Sequence, residues 1–404
     1  MRTSVSPSIL GAVVFSLALV CCAPSLERPD AASLSKNSFE WNPSEIEVGL
    51  ANWDTVYPAK REVPRGAKVH ELSSGVPLAA FSHGGIKEES LEQFMLKQKV
   101  AGIIVIQDGE IRLERYAQGF SKTGRWTSES VAKSVTSTLV GAAIKDGFIS
   151  SIDDSVAKYI PDLKGSVYDK VSIRQLLTMT TGVRWNEDYT DPNSDIARFY
   201  TDPVEPGMNE TVSYMRRLPA EAEPGAKWVY KTGETHLLGV LVSSATKETL
   251  ADYLSKKIWG SYGMEQSATW TLGRSDNELA GCCLQASLRD YARYGQFVLE
   301  GGLINGESIV PDGWFEAATH TQVPLGGGLG YGYQWWTSDD GQFRASGIYG
   351  QVIYIDPARR LVVAINSAWP EAWSDKRNST NSDFLHSIGT ALDEERTETM
   401  NKEK

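Results

Sequence analysis

The chain has 404 residues, of which 41% are hydrophobic and 23% are charged, a balance typical of a globular protein with a sizeable buried core. Its formal net charge is −11, and its Lys and Arg residues are not clustered. We therefore expect no nucleic-acid partner, because binding to the phosphate backbone requires grouped cations.

The first 22 residues resemble an export signal, in which Arg2 precedes an apolar run at 9–20. This run is shorter than the roughly 20 apolar residues that a membrane-spanning helix needs. The residues from Leu19 to Cys22 resemble a bacterial lipobox, in which a Leu lies three residues before a lipid-modified Cys. We expect an exported protein, either periplasmic or anchored in a bacterial envelope through a lipidated Cys21 or Cys22. A plain, cleaved signal peptide is the alternative.

Residues 23–70 mix Pro, Ser, Asn and charged residues without sustained periodicity. This composition is typical of a tether, or of an N-terminal arm that lies over a main domain. From residue 71 to residue 404 the chain is interpreted as one folded domain. Its first predicted element is a hairpin over 103–116, because alternating apolar residues flank the turn signal Asp108-Gly109.

Between residues 141 and 254 the signals are mainly helical. Ser172 and Gln175 have the spacing of a capping box at the start of one helix, and Gly182 is a stop signal after it. This segment is predicted to form a helical part of the domain.

Cys282 and Cys283 are the only cysteines after residue 22. Adjacent cysteines are badly placed to bond each other without strain in the peptide between them. We therefore expect two small, buried thiols, and neither a disulfide scaffold nor a zinc site.

Three short apolar or aromatic runs follow near the end of the chain, at 331–337, 351–355 and 361–366. Turn sequences separate them, which predicts an antiparallel meander, and a helix around 383–392 would cover it. With strands in 71–140 and 255–395 and helices in 141–254, the chain is predicted to have a mixed α/β (α+β) fold. In this fold distant segments complete one antiparallel sheet, which is flanked by helices and interrupted by a helical insertion.

The pattern S-x-x-K places a hydroxyl and an amine on one face of a helix, with Cβ atoms about 5–6 Å apart. The chain contains it four times, at Ser33–Lys36, Ser130–Lys133, Ser155–Lys158 and Ser244–Lys247. Only Lys133 lies in a segment with no other charged residue, 131–144, where apolar and small residues recur at helical spacing. We therefore predict that Ser130 is a nucleophile and that Lys133 is its base.

A lysine with the usual pKa of about 10.4 is protonated at neutral pH and cannot act as a base. Burial of Lys133 in an uncharged helix would lower that pKa, as the base role requires. The alternative is a lysine that reaches from a core helix to solvent. Ser130, in the first helical turn, would also lie close to free backbone N–H groups. No G-x-S-x-G nucleophile elbow is present, and none of the five His residues has an obvious triad context.

Further segments continue the pattern around Ser130. In chain order they are Trp126–Ser137, Leu176–Val183, Pro224–Ala226, Tyr230–Thr232, Ser287–Gly295 and Gly332–Trp336. Together they resemble the serine β-lactamase-like hydrolases, which include class C β-lactamases and penicillin-binding proteins, and especially the 6-aminohexanoate-dimer hydrolases. The resemblance covers about residues 75–390 and implies a β-lactamase/transpeptidase-like catalytic domain.

The resemblance assigns three further roles. Tyr230 would move a proton between the serine, the lysine and the leaving group, with a phenol pKa lowered by the nearby ammonium. The backbone N–H of Ile348 would be an oxyanion donor beside that of Ser130, and Gly347 would let the substrate approach. Tyr189 would contact the substrate amide, or would simply cap a surface loop.

The resemblance also exposes one departure from the family. In the family, the K-T-G element lies on a late strand, and the matching strand here has the sequence Ala345-Ser346-Gly347. The two literal K-T-G copies, which begin at Lys122 and Lys231, occur too early in the chain to match. Ala345 therefore replaces the cation that binds the carboxylate of β-lactams and peptidoglycan stems.

We expect a serine hydrolase that cleaves an amide or ester bond of a small molecule through an acyl-enzyme, without a metal or cofactor. One alternative is a β-lactamase or D-alanyl carboxypeptidase, which the missing cation disfavours. Another is a non-catalytic binding or sensor protein of the same fold. Trp185, Trp335, Trp336 and Tyr349 indicate either an aromatic-lined cleft or ordinary core packing.

Overall fold

The computed structural model describes residues 29–78 and 88–402. The predicted export signal, with Cys21 and Cys22, lies outside these residues. Within them, no helix combines the length and the apolar character that crossing a membrane requires.

The strands are β1 Lys60–Val63, β2 Ser73–Ser74, β3 Val100–Gln107, β4 Glu110–Tyr116, β5 Trp126–Thr127, β6 Ala268–Thr271, β7 Leu284–Ala286, β8 Leu303–Ile304, β9 Glu307–Ser308, β10 Val323–Gly326, β11 Leu329–Tyr331, β12 Trp336–Ser338, β13 Phe343–Gly347, β14 Gln351–Asp356 and β15 Leu361–Ser367. The α-helices are α1 Pro43–Ala51, α2 Trp53–Val56, α3 Glu88–Lys97, α4 Ala132–Lys145, α5 Ile173–Leu177, α6 Asp195–Thr201, α7 Glu210–Met215, α8 Thr232–Thr246, α9 Leu250–Leu254, α10 Leu288–Leu299, α11 Trp314–Thr319 and α12 Asp375–Lys402. A π-helical segment, Ser255–Gly263, continues α9. Short 3-10 turns are Ala31–Ser33, Ser38–Glu40, Glu129–Val131, Val156–Lys158, Pro161–Leu163, Val167–Lys170, Ile348–Gly350 and Pro357–Arg359.

The main sheet has nine strands in the order β10-β11-β12-β13-β14-β15-β3-β4-β2. Neighbouring strands are antiparallel, except for the parallel pair β2 and β4. The predicted hairpin is present as β3 and β4, and its turn residues Asp108 and Gly109 have φ angles of 51° and 81°, as a tight two-residue hairpin turn requires. Because β15 pairs with β3, the two ends of the domain complete one sheet.

Helices cover both faces of this sheet. On one face α10 lies so close that a Cβ on Gly295 would come within 2.5 Å of Val362. On the other face Phe94 of α3 stacks on Phe384 of α12, with ring centroids 3.7 Å apart. Since the central strands are covered on both sides, every residue of β15 is buried. The predicted mixed α/β fold with helices flanking a sheet is confirmed.

The N-terminal segment packs against the rest of the chain. β1 pairs with β6 in a second sheet of order β1-β6-β7-β5. Trp41 and Trp53 are buried, with ring centroids 5.8 Å apart. The described part of 23–70 therefore lies on the main body and contributes to its core.

Two predicted elements differ in extent. The run 331–337 is divided between β11 and β12, because Gln334 turns the chain with a φ of 63°. Its side-chain amide donates to the carbonyls of Leu176 and Leu177 at 3.1 and 2.9 Å. The helix predicted around 383–392 is the centre of the longer α12. The predicted capping box of Ser172 and Gln175 is present at the start of α5.

The expectation of two free thiols is wrong. Cys282 and Cys283 are both buried, as predicted, but they form a disulfide with each other. Cys283 has a left-handed φ of 70°, and neighbours hold the backbone on both sides of the bridge: Trp270 Nε1 donates to the Cys282 carbonyl at 2.9 Å, and the Thr271 amide donates to the Cys283 carbonyl at 3.0 Å. The surrounding strands β6 and β7 thus hold a backbone shape that an isolated peptide would not favour.

Candidate active site

Ser130 lies in the 3-10 turn that leads directly into α4, and its residue surface is 9% exposed. The preceding residue, Glu129, has a φ of 44°, a conformation that is costly for a residue with a side chain and that is concentrated at functional sites. Burial raises the pKa of the Glu129 carboxyl to about 8. Glu129 therefore keeps its proton to a higher pH than an exposed glutamate would, beside the predicted nucleophile.

Lys133 is 1% exposed and points at Ser130. Its Nζ lies 2.9 Å from Ser130 Oγ, 3.0 Å from Thr232 Oγ1 and 2.7 Å from the Gly281 carbonyl oxygen. All three partners are neutral oxygens. Burial consequently lowers the pKa of Lys133 to about 8, although nearby Glu187 and Glu129 oppose the shift.

The other three S-x-x-K lysines have ordinary surroundings. Lys36, Lys158 and Lys247 are all exposed, and Lys158 pairs with Asp154 at 2.9 Å. In contrast, α4 is buried from Ala132 to Ala143. The absence of other charged residues over 131–144 thus correctly indicated a buried helix. In that helix the structure places Lys133 in contact with Ser130.

The Gly281 peptide is hydrogen-bonded to both Lys133 and His236. Its carbonyl accepts from Lys133, and its N–H donates to His236 Nδ1 at 3.1 Å. His236 is buried, and burial lowers its pKa to about 3, so it stays neutral and can accept this bond. The Cys282–Cys283 disulfide follows Gly281 immediately in the chain. The disulfide therefore restrains the backbone next to the carbonyl that binds Lys133.

Tyr230 lies on the other side of the lysine. Lys133 Nζ is 5.0 Å from the centroid of the Tyr230 ring. The pKa of Tyr230 is raised, mainly by burial and further by Glu187. The expected lowering of this pKa is therefore wrong, because burial disfavours the charged phenolate and the nearby Glu187 adds to that effect. At neutral pH Tyr230 is a neutral phenol that can donate a proton.

Three aromatic side chains surround Tyr230. Trp336 stacks on it with centroids 5.7 Å apart, Tyr331 packs edge-on at 6.4 Å, and Trp228 lies at 6.5 Å. Of the aromatics singled out in the sequence, Trp336 thus borders the site, whereas Trp335 is fully buried in the core.

Sequence reasoning missed Glu187 and Thr232. The Glu187 carboxylate accepts from the Thr232 amide at 3.0 Å and also from the Thr232 hydroxyl and from Trp185 Nε1. Thr232 could have been found, because it is the third residue of the Y-x-N-like element that begins at Tyr230. Glu187 had no comparable signal, since it lies on a loop whose path is set by tertiary contacts.

Tyr189 lies beside Glu187. Its hydroxyl donates to Glu187 Oε1 at 2.9 Å, and its ring packs at 5.5 Å from Phe39 of the N-terminal segment. Burial and the adjacent Glu187 carboxylate raise the pKa of Tyr189 well above its ordinary value. Tyr189 is therefore part of the wall of the site and orients Glu187.

The late strand β13 borders the nucleophile. A Cβ built on Gly347 would lie 3.0 Å from the Ser130 backbone nitrogen and 2.8 Å from the Ser128 carbonyl oxygen. Only glycine therefore leaves the Ser130 amide accessible from this side. Ile348, whose N–H was predicted as the second oxyanion donor, follows at the start of the next 3-10 turn.

Ala345 lies on the buried face of β13 and is 1% exposed. This position therefore carries no cation, whereas the family has a lysine there. Lys231, from one of the early K-T-G copies, is buried in a different environment and pairs with Glu234 at 3.7 Å. Within the described parts of the chain, no group of three or more His, Cys, Asp or Glu residues could hold a metal ion.

Comparisons with known proteins agree with this arrangement. The sequence pattern of the Beta-lactamase family matches residues 88–384. The chain is 29% identical over 328 residues to the 6-aminohexanoate-dimer hydrolase of Paenarthrobacter ureafaciens, which spans 75% of this chain and 81% of that protein. It is 22% identical over 194 residues to a beta-lactamase of Pseudomonas fluorescens, which spans 45% of this chain and 49% of that protein.

Solved structures share the fold. A Bacillus anthracis protein proposed to be a 6-aminohexanoate-dimer hydrolase has a TM-score of 0.77 at 24% identity, covering 87% of this chain and 95% of its own. A class C beta-lactamase has a TM-score of 0.54 at 18% identity, covering 74% of this chain and 96% of its own.

Proposed function

The chain belongs to the beta-lactamase family of serine hydrolases, and from this premise we propose that it cleaves an amide or ester bond through an acyl-enzyme on Ser130. The observation that carries the proposal is the 2.9 Å contact between Ser130 Oγ and Lys133 Nζ. A lysine that is fully buried among neutral oxygens can be deprotonated near neutral pH, and a neutral amine can take the serine proton.

Acylation would begin when Ser130 Oγ attacks the substrate carbonyl and its proton moves to Lys133. The oxyanion that forms would be held by the backbone N–H groups of Ser130 and Ile348. The tetrahedral intermediate would then collapse. Tyr230 gives its proton to the leaving nitrogen or oxygen and regains one from Lys133, so that the base is neutral again.

Deacylation would reverse the roles. Water attacks the ester carbonyl of the acyl-enzyme and its proton passes to Lys133. Ser130 Oγ then leaves with a proton from Tyr230, which regains one from Lys133. The products are the carboxylic acid and the restored enzyme. Each step uses the same three side chains, and no other group has to change its protonation permanently.

A fluorophosphonate probe tests the assignment of the nucleophile. The wild-type protein should be labelled on Ser130, as determined by mass spectrometry of the labelled peptide, and Ser130→Ala should not be labelled. Ser137→Ala is the matched control, since Ser137 lies on α4 and its buried hydroxyl has no hydrogen-bond partner in the described structure. Equal labelling of wild type and Ser130→Ala, or labelling of neither, would contradict the proposal.

A panel of p-nitrophenyl esters, linear amides and D-amino-acid peptides then defines the bond that is cleaved. The buried Ala345 at the position of the family's cation favours amides and esters over β-lactams. Hydrolysis of nitrocefin faster than that of every ester and amide in the panel would reverse this ranking in favour of β-lactamase activity.

We further propose that the protein is exported, either free in a bacterial periplasm or anchored by a lipid on Cys21 or Cys22. The proposal is supported by the apolar run at 9–20 and the lipobox-like residues that follow it. Fractionation of expressing cells, combined with mass spectrometry of the mature N-terminus, distinguishes a lipidated from a cleaved form.

A further inference from the structure

A short turn of the N-terminal segment, residues 36–39, lies over one side of the candidate active site. Ser38 and Phe39 are partly buried, whereas Lys36 and Asn37 are exposed. The Asn37 side chain accepts from the Phe39 amide and fixes the turn locally. The family pattern begins only at residue 88, so this turn lies outside the part of the chain that the pattern covers.

Two tyrosine hydroxyls hold the backbone of the turn. Tyr349 donates to the Ser38 carbonyl at 3.0 Å, and Tyr57 donates to the Lys36 carbonyl at 2.9 Å. Tyr349 follows Ile348, the predicted oxyanion donor, in the chain. The turn is therefore anchored beside the place where the substrate oxygen would be held.

The ring of Phe39 extends from the turn towards the lysine side of the site. Its centroid lies 5.5 Å from that of Tyr189 and 6.5 Å from that of Tyr200. Tyr189 donates to Glu187, and Glu187 accepts from Thr232 beside the lysine. Aromatic rings at these distances are in contact, so no substrate chain fits between Phe39 and the two tyrosines.

The turn also closes the space next to the nucleophile. Four tyrosines contact residues 36–39, namely Tyr57, Tyr189, Tyr200 and Tyr349. Burial raises the pKa of each phenol, and the Glu129 carboxyl raises it further, which indicates that all four lie near this carboxyl. Glu129 directly precedes Ser130, and its buried Oε1 has no hydrogen-bond partner in the described structure. The phenols around Glu129 and the turn thus enclose one side of Ser130.

This enclosed side is the acyl side of the site. In the proposed mechanism Tyr230 gives its proton to the leaving group, so the aromatic rings around Tyr230 border the leaving-group side. Those rings belong to Trp228, Tyr331 and Trp336. Among the described residues, no hydrogen bond or aromatic contact joins them to residues 36–39. The acyl part of a substrate extends away from its leaving group, and therefore towards the turn.

We propose that Phe39 is a specificity-determining residue that closes the acyl subsite, so that the enzyme prefers short acyl groups to long ones. Phe39 does not restrict the leaving group. This inference rests on the proposed function and adds to it a restriction on one half of the substrate. It also makes the N-terminal segment a part of substrate recognition.

Two ester series, each with one variable part, test the proposal. The p-nitrophenyl esters of acetate, butyrate, hexanoate and octanoate vary the acyl group, and ethyl, butyl and octyl acetate vary the leaving group. For the wild-type protein, kcat/KM should fall as the acyl group lengthens. Phe39→Ala should raise the octanoate-to-acetate ratio of kcat/KM at least about tenfold, because a single methylene group in an apolar pocket already changes kcat/KM by roughly this factor. The same variant should leave the ratio of octyl to ethyl acetate unchanged.

Phe39→Trp is the opposite variant, and it should lower the octanoate-to-acetate ratio because a larger ring fills more of the subsite. Phe148→Ala is the matched control. Phe148 is 40% exposed, packs edge-on against Tyr253 and follows α4 at the end remote from Ser130, so its loss should change neither ratio.

Three results would overturn the proposal. The first is a wild-type kcat/KM that does not fall with acyl length, and the second is an octanoate-to-acetate ratio that Phe39→Ala leaves unchanged. The third is a change in the alcohol series instead of the acyl series. A merely structural role of Phe39 gives the second result, because it lowers the melting temperature and reduces kcat/KM by the same factor for every ester.

A binding measurement separates this inference from the proposed function. Isothermal titration of butanamide and octanamide into Ser130→Ala does not require catalysis. Tighter binding of octanamide, but not of butanamide, to Ser130→Ala/Phe39→Ala would support the closed subsite even if no ester were hydrolysed. Equal binding of octanamide to both variants would refute it, even in a protein whose serine reacts with fluorophosphonate.

Discussion

Glu187 and Thr232 are joined by two hydrogen bonds, one from the Thr232 amide at 3.0 Å and one from its hydroxyl. The same hydroxyl lies 3.0 Å from Lys133 Nζ. The Glu187 carboxyl group is therefore held one hydroxyl away from the lysine that we propose as the base. Glu187 raises the pKa of Lys133, and burial lowers it, so the pH at which the base works is a balance between these two effects.

The first prediction concerns the pH dependence of acylation. Because the pKa of Lys133 is lowered to about 8, the neutral amine becomes more abundant as the pH rises through this value. The second-order rate of fluorophosphonate labelling should therefore rise about tenfold per pH unit below pH 8 and level off above it. Lys133→Met should lower the plateau by roughly two to four orders of magnitude. A rate that falls as the pH rises from 6 to 8 would exclude Lys133 as the base.

The second prediction is that Glu187→Gln shifts this profile to lower pH. The amide oxygen can still accept from Thr232, but the negative charge that stabilises the ammonium is lost. The apparent pKa of labelling should therefore decrease relative to the wild type, whereas a merely structural role would lower the rate without moving the pKa. Glu371→Gln is the control, since Glu371 is an exposed carboxylate whose ion pair is with Arg377.

The third prediction is that Gly347→Ala strongly impairs acylation. The added Cβ would lie 3.0 Å from the Ser130 nitrogen and 2.8 Å from Glu129 Cβ, so it would occupy the approach to the predicted oxyanion site. Loss of one such donor typically lowers kcat by roughly 10²–10³-fold, and we expect an effect of this size on ester hydrolysis.

Gly66→Ala is the control for crowding in general. Its Cβ would lie 2.1 Å from the Gly260 carbonyl oxygen, so it should lower the melting temperature while the folded protein keeps its kcat. If Gly347→Ala lost stability but kept the wild-type kcat, the oxyanion assignment would be wrong.

The fourth prediction concerns the disulfide. Reduction of Cys282–Cys283 by a phosphine, or the double substitution by Ser, frees the backbone next to Gly281, whose carbonyl accepts from Lys133 at 2.7 Å. We expect the labelling rate to fall several-fold, with little change in melting temperature, because so short a loop restrains the unfolded chain only weakly. Thiol titration establishes the extent of reduction. A fully reduced protein with an unchanged labelling rate would show that the bridge does not position the lysine.

Part of the catalytic site could be predicted because it is local in sequence. Ser130 and Lys133 are one helical turn apart, so helix geometry alone brings them together. The absence of charge over 131–144 then predicted burial of that helix, and burial is what lowers the lysine pKa. The hairpin at Asp108-Gly109 was predictable for the same reason, since a two-residue turn requires particular residues at particular positions.

Other features depend on contacts between distant segments. The raised pKa of Tyr230 comes from the walls that bury it, and no property of its neighbours in sequence indicates their arrangement. The disulfide of Cys282 and Cys283 needs a backbone shape that strands β6 and β7 hold in place. Glu187 reaches Lys133 through Thr232, which lies 45 residues later in the chain.

The sequence by itself therefore determined the class of fold and indicated the candidate nucleophile and its candidate base, because helical spacing and hydrophobic pattern act over a few residues. Only the tertiary structure decided the electrostatics of the site. A pKa depends on which dipoles, charges and apolar walls surround a group in three dimensions.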